Sequence, residues 1–164
     1  MLFRSIARLA AGESLALPDS VVAYLARLRE EGFGERLIEV ERDSWIMIAA
    51  QIEPRLVEAM MRTKHRQFDD GPLRGLYLDF DQIIDAEPDD PRLAAVADRI
   101  STGIEAAYLA ADTADPELAA LDPELVRLLD EAFLESMPSA RRLLELLEER
   151  GWRGWTMIER AEAP

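Results

Sequence analysis

The segment that most constrains the fold spans residues 39–51, EVERDSWIMIAAQ, where a charged stretch passes directly into the most apolar run of the chain. At helical spacing, the apolar side chains in and around this segment share one stripe, formed by Ile38, Trp45, Ala49 and Ile52, with Glu41 and Ile48 on its flank. A stripe of this kind is typical of an amphipathic helix that is buried on one side. We therefore expect a central helix whose Trp45 side chain faces the interior.

The same spacing recurs along most of the chain and predicts further helices. They are expected at residues 2–11, from Pro18 or Asp19 to Gly32 or Gly34, at 35–53, 55–66, 73–85, 92–111, 124–137 and 139–150. In the second of these, Val21, Val22, Leu25 and Leu28 form the predicted buried stripe. The LYLDF segment also fits a strand, but the helical spacing continues through Ile84 and favours a helix.

Three Asp-Pro pairs, at Asp90, Asp115 and Asp122, predict helix starts, because aspartate accepts bonds from first-turn amides and proline needs no partner there. The tail GWRGWTMIERAEAP has no long helical repeat, yet its two tryptophan rings need a surface to cover. No linker divides the chain. We predict a single compact all-α domain of about seven or eight helices, with a globin-like arrangement as one form of it.

Composition excludes several classes of function. The chain has no cysteine, which excludes disulfides, thiolate metal sites and a cysteine nucleophile. Its 33 acidic and 19 basic residues give a net charge of −14, which disfavours nucleic acids and anionic lipid surfaces. No apolar run is long enough to predict a membrane span, and no secretory signal is evident, so a cytoplasmic location is expected.

No enzyme motif is present. Phosphate-binding glycine loops and the nucleophile elbow are missing, and Glu-x-x-His pairs for a di-metal bundle are absent. The single histidine, His65, lies in a basic TKHR turn and is interpreted as a helix-end residue. We expect no catalysis, no metal and no cofactor; an enzyme that works through carboxylates alone is the least favoured alternative.

The motifs W-I-x-I-A-A, L-Y-x-x-F-D and A-E-P-D-D-P-R-L lie within residues 41–54 and 71–100. In these segments the chain resembles the C-terminal effector region of actinobacterial MerR-type transcription regulators, and Trp45 occupies the tryptophan of the first motif. The resemblance implies an all-helical ligand-sensing domain, similar to the drug-binding domains of the thiostrepton-responsive branch. That branch captures antibiotics covalently through a cysteine, so binding by this cysteine-free chain should be reversible.

The resemblance also implies a domain organisation. Residues 13–164 would form the effector-binding domain. Residues 1–12 would form a short helix that either docks onto this domain or is the end of a dimerisation helix in a larger parent protein. The family's N-terminal winged helix-turn-helix is absent from this sequence. A homodimer would then form through a coiled coil of the parent protein, while this chain itself would bind no nucleic acid and no membrane.

The leading hypothesis is an antibiotic-sensing domain that binds bulky hydrophobic or cationic small molecules. The alternative is a helical protein–protein interaction module with an aromatic docking tail. For the first hypothesis we predict a ligand on the central helix, with aromatic side chains as walls, a carboxylate as an anchor that favours cations, and the tail as a cover that adds little to the core. The walls would be Trp45, Tyr77, Phe80 and Tyr108, the anchor Asp81, and the cover Trp152 and Trp155.

Overall fold

A computed structural model describes residues 17–69, 72–110 and 121–161. The predicted helix at residues 2–11 and the predicted helix start at Asp115 lie outside these ranges.

The described part of the chain contains seven α-helices and one short antiparallel hairpin, which confirms the all-α prediction. The LYLDF segment is helical, as its spacing favoured. The elements are α1 (Asp19–Glu30), α2 (Glu35–Gln51), α3 (Pro54–Asp69), α4 (Pro72–Ile83), α5 (Arg92–Ala110), α6 (Pro123–Ser136), α7 (Ala140–Glu148), β1 (Trp152–Arg153) and β2 (Glu159–Arg160).

Helix boundaries follow local chemistry. Asp122 Oδ1 accepts a hydrogen bond from the Glu124 amide at 2.8 Å, and Pro123 follows it in the first turn of α6. Asp90 Oδ1 accepts from the Arg92 amide in the same way, also at 2.8 Å. Two of the three Asp-Pro pairs therefore cap helices as predicted. Pro54 separates α2 from α3 because it has no amide hydrogen to continue a helix.

The helix α2 is central, since it packs against α1, α3, α4 and α6. Trp45 is buried on it, as expected. On α1 the predicted stripe is wrong at one position: Val22 is exposed, and Tyr24 instead takes a place inside. Beyond this group, α5 packs on α4 and α7, and α7 packs on α6 and β1.

The C-terminal tail forms the β1–β2 hairpin, in which Trp152 pairs with Arg160. Gly154 allows the turn, because its φ of +85° is unfavourable for other residues and a Cβ there would collide with the Met157 carbonyl oxygen. Trp152 is only 1% exposed, and its Nε1 donates to Ser101 Oγ at 3.2 Å. The expectation that the tail adds little to the core is therefore wrong, because one of its tryptophans belongs to the core.

Among the described helices, none is both long enough and apolar enough to span a membrane.

Candidate ligand-binding site

A cavity of about 350 Å³ lies between α2, α3, α4, α6 and the C-terminal hairpin. Small-molecule pockets in proteins generally have volumes of about 300–1,000 Å³. Most of the lining is apolar, and the aromatic members are Trp45, Tyr77, Phe80, Phe133 and Trp155. The cavity therefore has the size and the surface of a site for a hydrophobic small molecule.

The sequence of α2 explains one wall. Leu37, Glu41, Trp45 and Ile48 follow one another at spacings of three or four residues, so their side chains form one row along the helix and reach the cavity together. The row is apolar except at Glu41. A carboxylate at this place must find partners, since an unpaired buried charge is strongly unfavourable.

Glu41 has these partners. Its Oε1 accepts from Tyr77 Oη at 2.6 Å, and its Oε2 accepts from Lys64 Nζ at 2.9 Å, Tyr24 Oη at 3.2 Å and Trp45 Nε1 at 3.3 Å. We call these five residues the Glu41 cluster. The side chains of Glu41 and Lys64 are only 16% and 19% exposed. The cluster joins α1, α2, α3 and α4 through one carboxylate.

Lys64 is also surrounded by aromatic rings. Its Nζ lies 5.1 Å from the centre of the Tyr24 ring, 5.2 Å from that of Tyr77 and 5.3 Å from that of Trp45. Rings at this distance attract an ammonium group through their negative faces. The protein's own lysine therefore occupies an aromatic cage at the wall of the cavity.

The pKa values of the cluster follow from burial and charge. Burial alone would raise the pKa of Glu41, but the Lys64 charge and the hydrogen bonds from Tyr77, Lys64 and Tyr24 outweigh it and hold the pKa below its usual range. Burial first and the Glu41 charge second raise the pKa of both Tyr24 and Tyr77. At neutral pH the Glu41 carboxyl group is therefore ionised and the two phenols are neutral.

The C-terminal hairpin and its turn form the opposite wall. Trp155 is stacked on Phe133, with ring centres 4.1 Å apart and planes at 8°, and its ring also meets Phe80 edge-on at 4.8 Å. The Thr156 amide donates to Asp130 Oδ1 at 2.8 Å and fastens the turn to α6. Ile158 lines the cavity while remaining 36% exposed, which places it at the mouth.

Of the seven residues predicted to bind ligand, four line this cavity: Trp45, Tyr77, Phe80 and Trp155. They come from three separate parts of the chain, and the fold brings them together.

The other three do not reach it, and the predicted arrangement is corrected there. Asp81 instead accepts a hydrogen bond from the Gly34 amide at 3.0 Å and holds the start of α2. Tyr108 is 55% exposed near the end of α5. Trp152 packs edge-on against the Tyr108 ring, and the Arg160 guanidinium lies over both rings.

Sequence reasoning missed Glu41, Lys64 and Tyr24 as site residues. One local signal was available, because a carboxylate that precedes a buried tryptophan by four residues must lie on or beside the buried face. Lys64 gave no such signal, since the basic TKHR segment fits a helix end equally well. Its neighbours in the cage come from other helices, which only the tertiary structure reveals.

Within the described ranges, no group of three or more histidine, aspartate or glutamate side chains is placed to hold a metal ion. The single histidine lies outside the cavity lining, with its Nδ1 3.2 Å from Arg27 Nη1 and its ring edge-on to Tyr24.

No family model, curated protein or solved structure matches this chain. Membership of the MerR-type effector family and a globin-like arrangement both stay predictions.

Proposed function

We propose that this domain binds bulky hydrophobic small molecules reversibly in the cavity between α2, α3, α4, α6 and the hairpin, without catalysis. The observation that carries the proposal is the cavity itself: about 350 Å³ of space with five aromatic rings in its lining. This volume and the mainly apolar lining match those of small-molecule clefts in proteins. Rigid rings offer contact area at little loss of side-chain entropy.

The state of the polar groups supports a binding role over a catalytic one. Glu41 is bound by four donors and has a lowered pKa, whereas a general base works best with a pKa near the operating pH. The Ser44 and Ser136 hydroxyls donate to the backbone carbonyls of Val40 and Phe133. These groups serve the fold and are not arranged as nucleophile and base.

The alternative, an interaction module with an aromatic docking tail, requires tryptophan rings that a partner can reach. Trp152 is buried, and Trp155 is stacked on Phe133 inside the cavity wall. Both rings already have partners within the domain, which favours the small-molecule proposal.

The resemblance to MerR-type effector regions is compatible with this role. If the chain belongs to such a regulator, we propose that the domain is its cytoplasmic sensing part. Dimerisation would then occur through a coiled coil that includes residues 1–12. Ligand binding by the domain itself does not depend on either feature.

A cavity-filling variant tests the proposal. The probe is prodan, a neutral naphthalene dye whose emission increases in apolar surroundings. Ser44 lines the cavity on α2, so Ser44→Phe places a ring inside it. Its matched control is Asp43→Phe, at the neighbouring exposed position. Prodan should bind the unmodified protein and the control equally, while Ser44→Phe should weaken binding at least about tenfold, equivalent to about 1.4 kcal/mol.

Energy transfer from tryptophan to prodan gives a second measurement, because Trp45 and Trp155 are in the cavity wall. Equal binding by all three proteins, or binding by none of them, would overturn the proposal.

A further inference from the structure

The charges at the α2–α3 wall of the cavity cancel each other. Lys64 and Glu41 are 2.9 Å apart and are the cationic and anionic side chains that line this cavity. A ligand with a net charge of either sign would add an uncompensated charge to a partly dry site, which is unfavourable. The predicted preference for cations rested on an unpaired carboxylate, and Asp81, the predicted anchor, does not line the cavity.

Glu41 has little capacity left to bind a ligand. A carboxylate offers about four lone-pair positions. Tyr77, Lys64, Tyr24 and Trp45 all donate to this one. Three of these donors share Oε2, so a further donor on a ligand would have to share Oε1 with Tyr77. Because Lys64 already compensates the Glu41 charge, this carboxylate is poorly suited to recognise a cation.

Lys64 has the opposite property. An ammonium group has three N–H donors and no acceptor. Within the described ranges Glu41 is its hydrogen-bonding carboxylate, and its other neighbours are ring faces. An acceptor on a ligand could therefore bind Lys64 without displacing Glu41. The cage itself is closed to a ligand cation, because Lys64 already fills it.

We propose that the ligand is a neutral, bulky hydrophobic molecule with a carbonyl oxygen at one end, of the ketone, ester or amide class, and that this oxygen accepts a hydrogen bond from Lys64 Nζ. This inference rests on the proposed function and adds the chemical class of the ligand. The Glu41 carboxylate and the rings of Tyr24, Trp45 and Tyr77 hold the ammonium in place, so the donor is oriented before the ligand arrives.

Four probes of nearly the same shape test the class: ethylnaphthalene, acetonaphthone, naphthylethylamine and naphthoate. They carry no polar group, a ketone, an ammonium and a carboxylate respectively. Affinities are measured by displacement of prodan from the full chain. When the affinity of one probe is compared between two proteins, the free energy of hydration of the probe is the same in both and cancels.

Two variants are compared with the unmodified protein. Lys64→Ala removes the donor and empties the cage, while Glu41→Gln with Lys64→Ala removes both charges and avoids leaving an unpaired carboxylate. In both, the preference for acetonaphthone over ethylnaphthalene should fall about tenfold, the size expected for loss of one charge-assisted hydrogen bond. If Lys64→Ala fails to fold, the double variant still provides this test.

The ammonium probe gives a separate readout. In Lys64→Ala the vacated cage retains Glu41 and three ring faces, so naphthylethylamine should gain affinity about tenfold. In the double variant this gain should be absent. If Lys64 had only a structural role, naphthylethylamine would not gain affinity in Lys64→Ala and lose this gain in the double variant.

The inference is overturned if acetonaphthone keeps its full preference in the double variant, or if the unmodified protein binds naphthylethylamine or naphthoate most tightly. If ethylnaphthalene still binds in those cases, the proposed function stands. If none of the probes binds, the proposed function fails together with the inference.

Discussion

Glu41 shows how one residue can hold a fold together while shaping a site. Its carboxylate accepts bonds from side chains of α1, α3 and α4 and from Trp45 on its own helix. Removing one partner of a buried ion pair leaves a charge without compensation, which generally destabilises a protein more than removing both. The same cluster orients the Lys64 ammonium at the cavity wall, so stability and recognition are linked at this residue.

The cluster predicts how stability depends on pH. The folded pKa of Glu41 is lowered, so its contribution is complete above the unfolded value of about 4.3 and is lost as the pH falls through the folded pKa. The folded pKa values of Tyr24 and Tyr77 are raised, so their contribution is complete below about 10 and is lost as the pH rises above it. Stability should therefore decrease at both extremes.

Urea unfolding across the pH range measures this dependence. Glu41→Gln should reduce the loss on the acid side, and Tyr77→Phe the loss on the alkaline side. The control is Glu39→Gln, which replaces an exposed carboxylate on the same helix and should change the pH dependence little. If the free energy of unfolding depends on pH in the same way in Glu41→Gln, Tyr77→Phe and the unmodified protein, these residues do not cause the pH dependence.

At the scale of elements, the hairpin separates two tryptophans that look equivalent in the sequence. Trp152 packs inside, under Arg160, whose guanidinium lies 4.4 Å from the ring centre. Trp155 is only partly buried and closes the cavity against Phe133. Trp152 lies in β1 and Trp155 lies in the turn that begins at Gly154, so the change of chain direction there gives the two rings different surroundings.

This separation predicts different effects of substitution. Trp152→Ala should lower the free energy of unfolding by about 3–5 kcal/mol, the usual range for a large buried ring. Trp155→Ala should lower it by only about 2 kcal/mol, because its ring is partly exposed and faces empty space on one side, but it should weaken prodan binding. Urea unfolding and prodan titration measure the two effects. A larger loss of stability in Trp155→Ala, with prodan binding unchanged, would contradict the model of the hairpin as a cavity wall.

Helix positions could be predicted from the sequence because apolar spacing, capping aspartates and prolines act locally. Pro54, Asp90 and Asp122 mark boundaries within a residue or two of those observed. Trp45, Tyr77, Phe80 and Trp155 could be proposed as a site from their type alone. Contacts such as Lys64 with Glu41, 23 positions apart, could not, because no local pattern specifies which helices become neighbours.

The C-terminal hairpin could not be predicted from the sequence either. Each of its strands has only two residues, too few to show alternation of apolar and polar side chains. The prediction that Val22 is buried was wrong because Val22 and Tyr24 lie at opposite edges of the same helical stripe. The position of the neighbouring helices decides which edge is buried, and here it is the edge with Tyr24.

At the scale of the whole molecule, the acidic charge is distributed among many ion pairs. Arg27 contacts Glu31 and Asp69, Arg99 contacts Asp79, and Arg127 contacts Glu124 and Glu131. These arginines lie on different helices beside carboxylates, and the chain retains a net charge of −14. Within the described ranges, these arginines lie beside carboxylates and so do not form the kind of basic patch that neutralises the phosphates of a nucleic acid.

The chain should therefore show no measurable affinity for duplex DNA at physiological salt, whatever ligand occupies the cavity. Binding to a phosphate backbone gains most of its free energy from release of counterions by clustered lysines and arginines. In this chain the net charge is −14, and the arginines of the described ion pairs lie beside carboxylates that repel phosphates. A mobility-shift assay with the full chain, with and without prodan, measures this. A shifted band that weakens as salt is raised would contradict the prediction, because that salt dependence is the signature of phosphate contacts. If the domain acts in a transcription regulator, contact with DNA must then come from another part of the assembly, and ligand binding here can act on DNA only through that part.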